Sequence, residues 1–206
     1  EMIQTRGVSK NFQRDPRKAN PRFMAFAVPF GWILNPNNFE KGLDVIVSRI
    51  RRIPPGSIDS RIKNYHWLDL VSGMYEAYDS NSDSVILVDE KNNISEGPGF
   101  NIFCVDESGL NTPNKGVLEG VTRQTVLDLA EEIKLPVNLR SVSINMLNDS
   151  KEVFATSTAG GIMPITKINN KLVGDGTPGP VTRQIHKSYW ELHINSKWTQ
   201  SVIELI

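Results

Sequence analysis

Two side chains in this sequence have the chemistry to grip an aromatic aldehyde from opposite ends. Lys63 lies in Ile-Lys-Asn-Tyr-His-Trp, an amine among apolar and aromatic neighbours. Burial there would lower its pKa and leave a free amine able to attack a carbonyl. Glu96 opens Glu-Gly-Pro-Gly-Phe-Asn-Ile-Phe, a Gly/Pro turn that runs straight into a strand. A carboxylate on a rigid turn can pair with a protonated ring nitrogen, and together the two groups suit a pyridine aldehyde such as pyridoxal phosphate acting as an electron sink.

Two further segments offer donors to an anion. Gly120-Val121-Thr122 enters a helical pattern, so backbone amides and a hydroxyl would meet at the positive end of the helix dipole. Ser157-Thr158-Ala159-Gly160-Gly161 follows a strand with small residues that let a ligand approach the backbone. Each turn is more often structural when read alone, since Thr is an ordinary helix cap. Likewise, a single lysine is usually solvated and a single glutamate beside Gly-Pro usually belongs to a turn. The order of the four elements in one chain is what sets those readings aside.

These groups must be positioned by a globular core. The chain has 206 residues and 39% hydrophobic content, enough for a sizeable interior. Its 23 basic and 23 acidic residues balance without a block of like charge, which argues against nucleic acid or a polybasic membrane contact and for a small-molecule partner. Apolar runs such as residues 23–34 are broken by Pro29 and Gly31 and fall short of a bilayer span, so a soluble protein is expected. Cys104 is the sole cysteine, which precludes intrachain disulfides and fits a cytoplasmic or organelle-matrix setting. It reads as a buried small hydrophobe, and His66, His186 and His193 lack metal-ligand spacing. The opening Glu-Met-Ile-Gln-Thr-Arg-Gly reads as the middle of a domain rather than a natural start.

Along the chain, residues 2–5 and 23–30 read as strands joined by a basic loop over 8–21, and residues 31–42 as a linker. Strands are expected over 43–50, 84–88, 100–105, 110–112, 137–142 and 152–156, with a further ordered run over 165–173. Residues 64–79 place Leu68, Val71, Met74, Tyr75 and Tyr78 at helical spacing, which puts Lys63 just ahead of a helix. A second helix bears Val126, Leu127, Leu129, Ala130 and Ile133 and stops before Pro136; 144–148 form a helical turn and 181–193 a last helix. Arg123 and Arg183, after Thr in helix-entry turns, are expected to form structural ion pairs.

The wording of these segments resembles the class IV aminotransferases. The carrying strings are Ile-Lys-Asn-Tyr-His-Trp-Leu-Asp-Leu-Val, Ile-Ser-Glu-Gly-Pro-Gly-Phe-Asn-Ile-Phe, Gly-Val-Leu-Glu-Gly-Val-Thr-Arg and Thr-Ser-Thr-Ala-Gly-Gly-Ile-Met-Pro-Ile-Thr. Those enzymes are fold type IV pyridoxal phosphate proteins, among them branched-chain and D-amino acid transaminases and aminodeoxychorismate lyase. Arg-Arg-Ile-Pro-Pro-Gly-Ser-Ile-Asp and Gly-Pro-Val-Thr-Arg bring the likeness closest to the R-selective amine transaminases, over about Gln4 to His193. The resemblance implies an α/β (α+β) fold with a mixed, pseudo-barrel sheet, flanking helices and a homodimeric assembly. It implies that Lys63 joins the cofactor as a Schiff base and then shuttles a proton, and that Glu96 pairs with the pyridine nitrogen. Val121, Thr122 and Thr158 would hold the phosphate, Ser157 would also contact the cofactor, and Ser157, Thr158 and Ala159 would sit beside the substrate. Tyr65 and Trp67 are either pocket lining or core. Arg14 and Arg17 lie where the amine transaminases carry a mobile arginine that receives a keto acid's carboxylate.

Family members begin with a smaller domain, and residues 1–30 would be its last strands and loop, 31–42 the connection, and 43–206 the large cofactor-binding domain. The expected activity is amino transfer between an amine or an amino acid (D- or branched-chain) and a 2-keto acid. Two alternatives stand beside it: an aminodeoxychorismate lyase-like enzyme, and a shortened non-catalytic relative serving as a binding module.

Overall fold

The computed structural model describes residues 1–195 and 197–201, in two compact units, Glu1–Gly31 and Trp32–Ile206. The first unit is an antiparallel hairpin of β1 (Met2–Ser9) and β2 (Ala19–Ala25). Its ladder runs further toward the loop than expected and ends at Ala25 rather than at residue 30. A bulge between Thr5 and Val8 makes the extension possible. Gly7 sits in it at φ 76°, with the Asn20 carbonyl where a Cβ would stand. Pro21, which has no N–H to donate, lies opposite this irregular stretch.

The second unit is an α/β domain built on one mixed eight-stranded sheet in the order β4-β3-β9-β8-β5-β6-β7, with β10 on β9. The strands are β3 (Leu43–Arg51), β4 (Ser84–Val88), β5 (Asn101–Asp106), β6 (Gly109–Thr112), β7 (Val137–Leu139), β8 (Glu152–Ser157), β9 (Gly161–Ile168) and β10 (Lys171–Leu172). β3 runs parallel to β4 and β9, and β6 parallel to β7; the other pairs are antiparallel. The run expected over 165–173 is thus two strands. Asn169 and Asn170, both at positive φ, make the tight turn between them.

Strand alternation divides the core. On β5, Phe103 and Val105 join the cluster under α2 (Val121–Glu132) and α4 (Pro180–Leu192), while Ile102 and Cys104 face the other side. Phe103 stacks on Phe154 of β8 with centroids 5.1 Å apart. On β4, Val85 and Leu87 pack under α1 (Leu68–Asp79), while Ile86 and Val88 point the opposite way. That opposite face closes on Ile94, Val142 and Leu147 of α3 (Ile144–Asn148) and on its own strands. Leu34, from the segment expected as a linker, is buried with them.

Helix α1 corrects the sequence reading. Its buried residues are Leu70, Gly73 and Ala77, whereas Leu68, Val71, Tyr75 and Tyr78 are exposed. Gly73 is the reason: a Cβ there would stand 3.0 Å from Leu87 Cδ1 and 3.2 Å from Val85 Cγ1. The helix therefore lies closest to the sheet along its smallest side chains; Met74 of the expected stripe still packs against this cluster, while Leu68, Val71, Tyr75 and Tyr78 turn outward.

Helix α4 starts on a carboxylate supplied by the sheet. Glu152 of β8 accepts from Val181 N at 3.1 Å, Thr182 N at 2.8 Å and Thr182 Oγ1 at 2.7 Å. A negative charge at the positive end of the helix dipole, with its hydrogen bonds filled, offsets its own burial. Glu152→Ala is expected to lower unfolding free energy by about 1.5–3 kcal/mol, measured by urea denaturation; an unchanged midpoint would show that the cap contributes nothing.

Candidate active site

Glu96 is placed by backbone geometry before its side chain is considered. Leu87 N donates to the Glu96 carbonyl at 3.0 Å, fixing the segment beside β4. One residue on, Gly97 N donates to Phe100 O at 3.0 Å and Phe100 N to Gly97 O at 3.3 Å, a tight turn. The Phe100 ring lies over Gly97, where a Cβ would come within 2.1 Å of it, so no larger residue fits.

The Glu96 side chain is 7% exposed. Oε1 accepts from Arg52 Nε at 3.1 Å and Oε2 from Leu118 N at 2.9 Å. Burial raises its pKa above the ordinary carboxylate value, against the opposing pull of the Leu118 amide and the Arg52 guanidinium. Each oxygen keeps a lone pair for one more donor.

Lys63 lies in the irregular segment between β3 and α1. Asn64 shapes its neighbourhood, donating to Ile62 O at 2.7 Å and accepting from His66 N at 2.9 Å. The expected burial of the lysine is not found: Lys63, Ile62, Tyr65 and Trp67 are all exposed, because a loop of local turns gives the apolar neighbours no sheet or helix to pack against.

Lys63 and Glu96 nevertheless line one open cleft of about 200 Å³. Val121, Thr122, Ser157 and Thr158 line it too, as does Trp67. Ala159 and Tyr65 do not belong to the lining; Ala159 follows on the same turn, its amide donating to Ser157 Oγ at 3.1 Å. Helix α2 follows Gly120, an N-cap with no side chain to offer its first amides. Thr122 is buried in that first turn and Val121 is exposed. Arg14 and Arg17 belong to the hairpin unit, where both are exposed and Arg17 pairs with Asp15 through two bonds of 2.9 Å.

Among the lining residues without a functional reading in the sequence are Arg52, Asn101, Leu118 and Thr156. Arg52 stands at a strand end beside Pro-Pro, which reads as a turn. Asn101 Nδ2 donates to Leu118 O at 2.7 Å, tying the start of β5 to the approach to α2. Thr156 is 2% exposed and, among the described residues, its Oγ1 has no hydrogen-bond partner. Nothing in the local sequence separates that hydroxyl from an ordinary strand threonine. Of the two helix-entry arginines, Arg183 pairs with Glu40 at 2.7 Å, as expected. Arg123 is buried and instead donates to the Pro113 carbonyl at 3.1 Å, with no ion pair among the described residues.

A mixed sheet flanked by helices, whose strand ends gather such a cleft, is the architecture of the fold type IV enzymes. The chain belongs to the amino-transferase class IV family, whose model matches residues 3–168. A putative branched-chain-amino-acid aminotransferase of Methanocaldococcus jannaschii is 30% identical over 200 residues, covering 96% of this chain and 67% of that protein. The crystal structure of a branched-chain aminotransferase from Thermoproteus uzoniensis with norvaline superposes with a TM-score of 0.83 at 28% identity, over 93% of this chain and 64% of that one. A T.th. branched-chain amino acid aminotransferase, solved with N-(5'-phosphopyridoxyl)-L-glutamate, gives 0.74 at 27% identity, over 78% and 55%. This chain spans about two thirds or less of the length of these three proteins.

Because the folded-state pKa of Glu96 is raised, its carboxyl favours folding below the unfolded value, near pH ~4, and that contribution is lost as pH rises through the folded value. Glu96→Gln removes this slope. Its stability relative to the parent is expected to increase between about pH 4 and pH 7, measured by urea unfolding at several pH values; a difference flat across that window would contradict the buried carboxyl.

Proposed function

We propose that this chain is the cofactor-binding part of a pyridoxal phosphate-dependent transaminase, moving an amino group between an amine or an amino acid and a 2-keto acid. The observation that carries the reading is the shared cleft: an amine on one loop and a buried carboxylate on another, lining the same space. The groups present fit the cofactor. Glu96 has acceptor capacity for a ring N–H, α2 follows a glycine cap with no side chain to fill its first amides, and the buried Thr156 hydroxyl has no hydrogen-bond partner among the described residues. Relatives that are aminotransferases favour amino transfer over the lyase and over a non-catalytic module, and weight the substrate toward a branched-chain amino acid.

In this reading the bound ring supplies a sink for the electron pair left at the substrate carbon. Glu96 would accept the hydrogen bond of the ring nitrogen and favour its protonated form. Lys63 Nζ would hold the cofactor covalently, with loss of water, and as a free amine would carry the proton between the substrate carbon and the cofactor. Val121, Thr122 and Thr158 hold the phosphate through amides and hydroxyls, and Ser157, Thr158 and Ala159 receive the substrate's polar group. One arginine of the hairpin loop, Arg14 or Arg17, meets the keto acid's carboxylate. The working protein is a homodimer in a cytoplasmic or matrix compartment.

Incubation with pyridoxal phosphate is expected to produce a long-wavelength absorption near ~400 nm. Borohydride should then fix the cofactor on Lys63, read by peptide mass spectrometry. Lys63→Ala should abolish both signals. Attachment at another lysine, or none in the parent protein, would refute the assignment.

A further inference from the structure

Arg52 takes no part in the chemistry above, yet it lines the cleft, is 8% exposed and holds two carboxylates at once. Nε donates to Glu96 Oε1 at 3.1 Å, and Nη1 donates to Asp69 Oδ2 at 2.7 Å. The same Asp69 oxygen accepts the Ile53 amide at 2.7 Å. The other oxygen of Asp69 accepts from Leu70 N at 2.8 Å in the first turn of α1.

These contacts have a topological consequence. Arg52 directly follows β3 and Asp69 is the second residue of α1, so the Arg52–Asp69 pair and the Ile53 amide close the intervening loop at its neck. Lys63 sits inside that loop. Arg52 is held in turn by its own amide, which donates to Val88 O at 2.9 Å at the end of β4. One guanidinium therefore joins the base of the amine's loop to the carboxylate across the cleft.

We propose that Arg52 is a positioning residue: it clasps the neck of the Lys63 loop through Asp69 and aims the Glu96 carboxylate with the same planar group, so that the chain itself sets the spacing of amine and acid. The proposal rests on the roles given above to Lys63 and Glu96, and it adds the device that couples them. Nε and Nη1 point from different edges of a rigid plane, so two carboxylates are held in a fixed relation. A lysine ammonium would supply the charge but not that planar span.

The test is amide hydrogen exchange on the full chain without cofactor, followed in peptides covering residues 53–67. Arg52→Lys and Asp69→Asn are each expected to speed exchange there by at least about tenfold, the loss of a charged hydrogen bond. Amides of β8 should keep their parent rates. Glu96→Gln leaves the Arg52–Asp69 pair in place and should leave the loop's exchange unchanged. With pyridoxal phosphate added, both clasp variants should bind it at least about tenfold more weakly in an absorbance titration. Loop exchange that stays at the parent rate in Arg52→Lys and Asp69→Asn, or that rises equally in β8, would overturn the proposal. If Arg52→Lys fails to fold, the isosteric Asp69→Asn carries the decision. Should the parent protein take up no pyridoxal phosphate, the functional reading fails while the exchange data still decide the clasp.

Discussion

A single buried guanidinium between two carboxylates is the interaction on which the cleft depends. Arg52, Glu96 and Asp69 bring the end of β3, the turn before β5 and the first turn of α1 to one point. Three charges out of water are costly, and only complete hydrogen bonding makes such a cluster tolerable. Here the carboxylates are also bonded by backbone amides, from Leu118, Ile53 and Leu70. The balance is still unfavourable for the Glu96 anion, whose pKa burial raises despite the neighbouring cation. That combination holds an acid in a defined place and leaves it receptive to one further donor.

Around this point the sheet and helices fulfil different tasks. Antiparallel pairing of β5 with β8 sets Asn101 opposite Thr156, so the beginning of one strand and the end of the other reach the cleft together. The two helices packed on these strands, α2 and α4, start differently. Helix α4 has its first amides filled by Glu152, whereas α2 follows Gly120, a cap residue with no side chain. Gly120 also lies against Asn101, whose Oδ1 would be 2.4 Å from a Cβ there, so the helix start is drawn close to β5. The filled terminus belongs to the core and the uncapped one to the cleft.

Lys63 is held differently from Glu96. Its loop is organised by short-range turns around Asp59 and Asn64 and by the closure at its neck, not by burial. An acid fixed in the core and an amine on a loop fit their proposed tasks, since one must stay and the other must form and release a bond. Among the described residues no helix is long and apolar enough to cross a membrane.

Much of the architecture was legible in the residues alone. Short apolar runs and the turn residues around them located β4, β6 and β8 to within a residue or two, because those signals act over a few neighbours. The segments lining the cleft were also legible, through Lys63, the Glu-Gly-Pro-Gly turn, Gly120-Val121-Thr122 and the Ser157 turn. Tertiary packing decided what local pattern could not. It turned α1 onto Leu70, Gly73 and Ala77 rather than its bulky stripe, because close approach to Val85 and Leu87 demands a small side chain. It left Lys63 exposed, and it chose Arg52 over Arg51 as the partner of Glu96 and Asp69, residues that meet only when the sheet and α1 are assembled. Spacing along a chain fixes which residues share an element; which of them become buried, and against what, depends on surfaces contributed from elsewhere in the fold.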